Sequence, residues 1–254
     1  MAQKVVCATC VTTCADYNVA IESNPDITLT EMKAEEKKPL AKPRRGARLK
    51  WGQESLAQEE QHRLRRAVLF QTAARAFNET GYYNTTLEAI ARRLNVTKPA
   101  LYYYVKDKDD ILFECNRMAL QHMQAALEEA ESGTESGMQK LVDFLTRYTE
   151  LMTSDFGACL IRTGLQPLRA ESRAKLRVLA NRLDKALRGI VAQGVEDGSI
   201  RACDPKMVSY AIFGGFNGIA TWFQPGGEMQ PAEVTGHFLD LFVHGLNPSK
   251  NRSR

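Results

Sequence analysis

The chain has 254 residues, 44% of them hydrophobic and 25% charged, which excludes wholesale disorder and collagen-like repeats and leaves room for one large or two smaller folded units. No run of about 18 apolar residues occurs, so no membrane-spanning helix is expected. The net charge of +4 is unevenly placed: residues 1–110 hold the basic excess, whereas 111–254 carry 16 basic and 16 acidic side chains. Residues 37–50 (KKPLAKPRRGARLK) hold seven Lys/Arg and no acid, which points to a polyanionic partner met at that end.

Residues 1–58 lack sustained periodicity and are punctuated by Pro25, Pro39, Pro43, Gly46 and Gly52, so a mostly disordered basic extension is expected, with helix from near Glu59. The six cysteines form no small disulfide framework, and the Cys/Thr-rich start is a poor match to a signal peptide; a cytoplasmic protein with reduced thiols is expected. Phe70, Ala73, Ala74 and Phe77 follow helical spacing, and Gly81 ends that helix. Two short segments follow, TTLEAIARRL and TKPALYYYV, then a long helix from Asp109 to about Ala130, closed by SGTESG at 132–137.

Leu141, Phe144, Leu145, Tyr148 and Met152 mark the next helix, and FGACLIRTGL (156–165) a short apolar piece. Leu176, Leu179, Leu183, Leu187 and Val191 mark another long one, stopped by Gly194 and Asp197-Gly198. Residues 204–223 are apolar on two faces and should be buried on two sides. Pro225-Gly226-Gly227 breaks that helix, and 231–246 is the last. No stretch alternates with period two, so the fold class is all-α. The expected division is an extension at 1–58, a small helical domain at 59–108, a larger helical domain at 109–248, and a tail at 249–254.

The segment 85–108 carries the chemistry. Thr85 and Glu88 read as a capping box, and Leu87, Ile90, Ala91 and Leu94 make the buried face of a helix. Asn95 tolerates a left-handed turn, Val96 plugs the corner, Thr97 caps a second helix, and Pro99 lies in its first turn. Leu101 and Val105 face inward, leaving Lys98, Ala100, Tyr102, Tyr103 and Tyr104 outward. Two short helices joined tightly, the second bearing Thr, Lys and Tyr, form a helix-turn-helix reader of double-stranded DNA. Its helix N-terminus and hydroxyls suit phosphate, and Lys108 adds charge.

Residues 63–113 resemble the N-terminal domain of the TetR family of transcriptional regulators. The resemblance rests on Gly81-Tyr82, Thr85-Thr86-Leu87, Ile90-Ala91, Asn95-Val96-Thr97, Leu101-Tyr102-Tyr103-Tyr104-Val105 and Asp107-Lys108, with Asn95 where most members have glycine. It implies DNA contacts from Thr86, Thr97, Lys98, Pro99, Ala100, Tyr102, Tyr103, Tyr104 and Lys108. It also implies a repressor released by a small molecule. The 204–246 segment resembles that of members answering to acyl-CoA thioesters.

Other constellations carry expectations of their own. The basic arm, with Arg44 and Arg45, either follows phosphates, enters a minor groove, or stays solvated. Cys7, Cys10 and Cys14, spaced C-x2-C-x3-C, allow a metal- or redox-responsive regulator as the alternative function, although no fourth ligand is adjacent. Met118, His122, Phe144, Tyr148, Met152, Phe156 and Cys159 either line an effector cavity or fill a core. Gly214, Gly215 and Gly218 each cost about 1 kcal/mol in a helix relative to alanine. Close helix approach offsets that, so they and Trp222, Phe238 and Phe242 are expected at a two-fold dimer interface. No Ser-His-Asp arrangement, Gly-rich phosphate loop or H-E-x-x-H motif is present, so a homodimeric, non-enzymatic repressor binding a palindromic operator is expected.

Overall fold

The computed structural model describes residues 51–245, with side chains from residue 59 onward, and among these the regular structure is all helix. Cys7, Cys10, Cys14, Arg44 and Arg45, the basic arm and the 249–254 tail lie outside the described residues.

Helix α1 spans Trp51–Thr80, starting eight residues before the Glu59 expected from periodicity. Its Phe70, Ala73, Ala74 and Phe77 are buried. Gly81 ends it as expected, with φ +79° and its N–H on Phe77 O at 3.0 Å, a backbone conformation that favours glycine. Helix α2 (Leu87–Arg93) packs on α1, and α3 (Lys98–Leu101) packs on α2, with Ile90, Ala91, Leu94, Leu101 and Val105 buried in the shared core.

Helix α4 (Lys108–Ser132) starts on Asp107, whose carboxylate accepts from Asp110 N at 2.9 Å. It packs against α1 and also against α5 (Gly137–Met152), α6 (Asp155–Thr163) and α7 (Ala170–Glu196). One rod thus belongs to both the small N-terminal unit and the larger bundle. Ser136 and Ser154 cap α5 and α6 through Gln139 N and Gly157 N.

Helix α7 runs past Gly194 to Glu196 and stops at Asp197-Gly198 as expected, with Gly198 at φ +75°. Gly194 serves close packing instead. A β-carbon on Gly137 of α5 would lie 2.3 Å from Gly194 N, and one on Gly194 would lie 2.4 Å from Ile200 Cδ1. Helices α8 (Pro205–Trp222) and α9 (Pro231–His244) complete the chain, separated by a turn with Gly226 at φ +77°.

A single continuous core runs from Leu69 to Val234. At its centre Tyr148 is fully buried, stacked on Phe216 at 5.4 Å with its rings 9° apart and flanked by Phe144 and Phe213. Its hydroxyl donates to Asn217 Oδ1 at 2.6 Å, which satisfies the polar end of an otherwise apolar group.

Candidate nucleic-acid interface

The corner between α2 and α3 is built by short-range bonds. Thr86, not Thr85, is the N-cap of α2: its hydroxyl accepts from Ala89 N at 3.1 Å. Thr85 is buried and bonds inward, to Thr80 Oγ1 and Gly81 O at 2.8 Å each, so it tethers the α1–α2 loop. The capping-box spacing to Glu88 singles out Thr85, and the structure corrects that reading: with Thr86 as N-cap the third helical residue is Ala89, and Thr85 is buried. Asn95 takes the left-handed conformation expected of it, at φ +54°, and Val96 N closes the turn onto Ala91 O at 3.0 Å. Thr97 stands at the N-cap of α3 with extended backbone, though its side chain makes no capping bond, and Pro99 lies in the first turn where a missing N–H is harmless.

Helix α3 is a single turn. Beyond Leu101 the chain tightens, with Tyr103 N on Ala100 O and Tyr104 N on Leu101 O, so the three tyrosines lie on a turn rather than along a helix. Leu101 and Val105 anchor it from below, while Tyr102 is 51% and Tyr103 86% exposed. Tyr104 turns back, half-buried, and stacks on His62 of α1 at 5.0 Å. Tyr83 in the α1–α2 loop is 77% exposed, an aromatic that motif reading missed because it belongs to no helical period.

The cations of this face differ in what they hold. Lys98 Nζ lies 2.5 Å from Glu88 Oε1 and 5.9 Å from the centre of the Tyr102 ring. That bond holds the Lys98 ammonium above its ordinary pKa and the Glu88 carboxyl below its own. Lys108 is turned inward. Its Nζ bonds Tyr82 O at 2.7 Å, Thr85 O at 2.9 Å and Tyr83 O at 3.4 Å, and lies 4.3 Å from the centre of the Tyr82 ring. An ammonium has three donors, so this lysine is saturated by its own chain. Burial lowers its pKa. Its geometry is that of a brace, and the free charge expected of it from sequence is already in use.

The bundle places the other expected residues as follows. Met118, Phe144, Tyr148, Met152, Phe156 and Cys159 are all buried in the core. His122 alone of the seven lines a cleft of about 550 Å³ between α4 and α5, walled by Lys140, Asp143 and Arg147. Met152 reaches a second cleft, of about 360 Å³, beside Asn78 and Arg162. The seven therefore do not line one common cavity. Burial pushes the Cys159 thiol up to about 12 and the Cys115 thiol well above its ordinary value, so neither is a ready nucleophile. Among the described residues, no group of His, Cys, Asp and Glu is placed to hold a metal, and no helix is long and apolar enough to cross a membrane.

The two faces of α8 separate cleanly. Ile212, Phe216, Ile219 and Phe223 are buried. Met207, Tyr210, Ala211, Gly214, Thr221 and Trp222 are exposed, so the second apolar face is not covered by the described residues. A β-carbon on Gly214 or Gly218 would meet nothing within 4 Å, whereas one on Gly215 would meet Phe242 at 3.6 Å. Phe238 and Phe242 are half-buried against Phe216 of the same chain. The six expected interface residues thus divide. Gly214, Gly218 and Trp222 face outward, and Gly215 packs inward beneath Phe238 and Phe242.

Comparison with known proteins agrees with this anatomy. Residues 69–115 match the family model described as bacterial regulatory proteins, tetR family, and 134–246 match the tetracyclin repressor-like C-terminal domain. The crystal structure of the TetR family transcriptional regulator PfmR from Thermus thermophilus is 31% identical, covers 71% of this chain and 99% of its own, and superposes with a TM-score of 0.65. The fatty acid metabolism regulator protein of Bacillus subtilis is 22% identical over 191 residues, which is 74% of this chain and 98% of that protein. A crystal structure of AibR with isovaleryl coenzyme A and operator DNA shares the fold, at 21% identity, 70% and 98% coverage, and a TM-score of 0.58. On the reader, the bundle and a relative matched almost end to end, the chain belongs to the TetR family of transcriptional regulators.

Proposed function

We propose that this regulator, a DNA-binding protein and not an enzyme, is a homodimeric repressor acting in the cytoplasm. In this reading residues 59–108 form the DNA-reading head and 109–248 the effector and dimerisation unit. Thr86, Thr97, Lys98, Pro99, Ala100, Tyr102 and Tyr103 face a palindromic operator, and Tyr83 joins them. Tyr104 and Lys108 hold the head in shape. The observation that carries the reading is the exposure of Tyr102 and Tyr103 on the turn that follows the C-terminus of α3, where most of their ring surface is left to solvent. Their hydroxyls and the Thr97 and Lys98 groups are the donors that phosphate and base edges accept.

The uncovered stripe Met207, Tyr210, Gly214, Gly218 and Trp222 supports a two-fold partner laid along α8 and α9. Two heads about 34 Å apart would then read successive major grooves. The effector is a small hydrophobic molecule entering the α4–α7 bundle near His122, displacing the packing around Met118, Phe144, Tyr148, Met152, Phe156 and Cys159. The names of two relatives, a fatty acid metabolism regulator and a protein crystallised with isovaleryl coenzyme A, make acyl-CoA thioesters the first class to try. Effector binding would favour a head spacing that no longer fits the operator. The test is a mobility assay on DNA upstream of the protein's own gene. Retention should be salt-dependent, lost on Tyr102→Ala with Lys98→Gln, and relieved by an acyl-CoA. Retention untouched by the two substitutions would overturn the assignment.

A further inference from the structure

The reading face holds a carboxylate where its partner is a polyanion. Glu88 occupies the second position of α2, exposed, and its Oε1 lies 2.5 Å from Lys98 Nζ at the start of α3. In a helix-turn-helix the first of the two helices crosses the phosphate backbone and the second enters the groove. Glu88 therefore stands beside the passing phosphates, and Lys98 is tied to it from the groove side. The other ion pair near this corner, Arg93 with Glu79 at 2.7 Å, reaches back to α1, so it does not hold α2 against α3.

We propose that Glu88 is a specificity-determining residue: it keeps the Lys98 ammonium from phosphates of arbitrary sequence and so lowers non-specific more than specific binding. The inference rests on the DNA-reading role of α3 proposed above. A lysine ammonium is a flexible point charge that binds any phosphate. Held by a carboxylate, it brings no net charge to a duplex that offers nothing else. On the operator, the correct base edges fix the head in register, and Lys98 exchanges Glu88 for a nucleic-acid acceptor at the same step. On other sequences the exchange is uncompensated, and the Glu88 carboxylate is left facing phosphate. Exposed pairs such as this one are weak in isolation, which lets the exchange proceed.

The test measures binding of the full chain to operator DNA and to a shuffled duplex of equal composition over a series of salt concentrations. In Glu88→Gln, the freed Lys98 should steepen the log–log salt slope on shuffled DNA by about 0.9, roughly a three- to fourfold greater loss over a fourfold rise in salt. Affinity for shuffled DNA at low salt should rise severalfold and that for the operator less, so discrimination falls. In the Lys98→Gln background, Glu88→Gln should change slope and discrimination far less, by the relief of one unpaired carboxylate only. An unchanged slope in Glu88→Gln overturns the proposal, and so does an equal steepening in both backgrounds, which would make Glu88 a general repulsive charge. If Lys98→Gln with Tyr102→Ala leaves operator binding intact, the DNA-reading role of α3 fails instead, and this inference with it.

Discussion

Arg169 holds Asp109 twice: its Nε lies 3.1 Å from Asp109 Oδ2, and its backbone N lies 2.7 Å from Oδ1. Ser172 Oγ adds a bond to Oδ2 at 3.1 Å, and the Arg169 guanidinium reaches on to Asp107 at 2.9 Å. Asp107 and Asp109 flank Lys108, which braces the carbonyls of the reader's first loop. The start of α4 is thus clasped on one side by the small N-terminal unit and on the other by the start of α7. Asp109 is 9% exposed, and removing its carboxylate takes the acceptor from Arg169 N, the exposed Arg169 guanidinium and the half-buried Ser172 hydroxyl. Asp109→Ala should cost about 1.5–3 kcal/mol, the range for hydrogen bonds to charged groups. Melting should fall by roughly 3–12 °C for a unit of this size. A melting temperature within a degree of the parent would show that the clasp contributes nothing to the folded state.

Lys108 and Lys98 are both expected from sequence to meet DNA, and the structure predicts that they behave differently. Lys98→Gln should lower the salt slope of operator binding by about 0.9, as the loss of one neutralised phosphate does. Lys108→Met should weaken binding by loosening the Tyr82–Thr85 loop while leaving the slope unchanged, because its three donors are already taken by carbonyls. Equal slope changes in the two variants would place Lys108 on a phosphate.

Periodicity made the helices legible because it reports burial, and burial is what Ile90, Leu101, Phe144 and Leu187 share. Asn95 was legible for a different reason: its side chain is among the few that tolerate a left-handed corner. What stayed hidden depends on tertiary partners. Thr85 has the capping-box spacing to Glu88, and only the position of Thr80 shows that its hydroxyl turns inward and leaves the cap to Thr86. Gly194 reads as a stop signal, yet it is small because Gly137 of another helix lies against it. The aromatic and sulfur-bearing residues from Met118 to Cys159 read equally as cavity or core, since both want large apolar side chains. In the structure all but His122 are buried in one packed core, and His122 lines the open cleft between α4 and α5.

The glycines of α8 offer a test of the proposed dimer that leaves the protomer intact. A β-carbon on Gly218 meets nothing within 4 Å among the described residues, so the Gly218→Leu side chain starts into open space. Replacing a mid-helix glycine also removes a penalty of about 1 kcal/mol, so the isolated protomer should be no less stable. A leucine there should hold the two copies apart, giving a monomer on gel filtration and loss of operator binding. Gly137→Ala is the contrast. Its β-carbon meets backbone at 2.3 Å, so it should lower the melting temperature and leave the surviving folded fraction dimeric. A Gly218→Leu protein that stays dimeric would move the interface elsewhere.

Asp197 gives the fold a predictable acid limb. Its carboxylate accepts from Ser199 N at 2.8 Å and from Gly137 N, the first residue of α5, at 2.7 Å. The bonds from Ser199, then that from Gly137, hold its pKa below the ordinary 3.8. A carboxyl with a lower pKa folded than unfolded stabilises the fold above its unfolded value, and that contribution disappears as pH falls through the folded one. The Asp197 contribution should therefore be complete at pH 5–7 and begin to fade only below about pH 4. Asp197→Asn should be less stable than the parent at pH 7, because a neutral amide is a weaker acceptor for the α5 N-terminus. The gap between the two should close on acidification, as the parent's carboxyl is neutralised. Melting curves of both proteins from pH 7 to pH 3 would show it, and a gap constant across that range would mean the Asp197 charge plays no part in anchoring α5 to the end of α7.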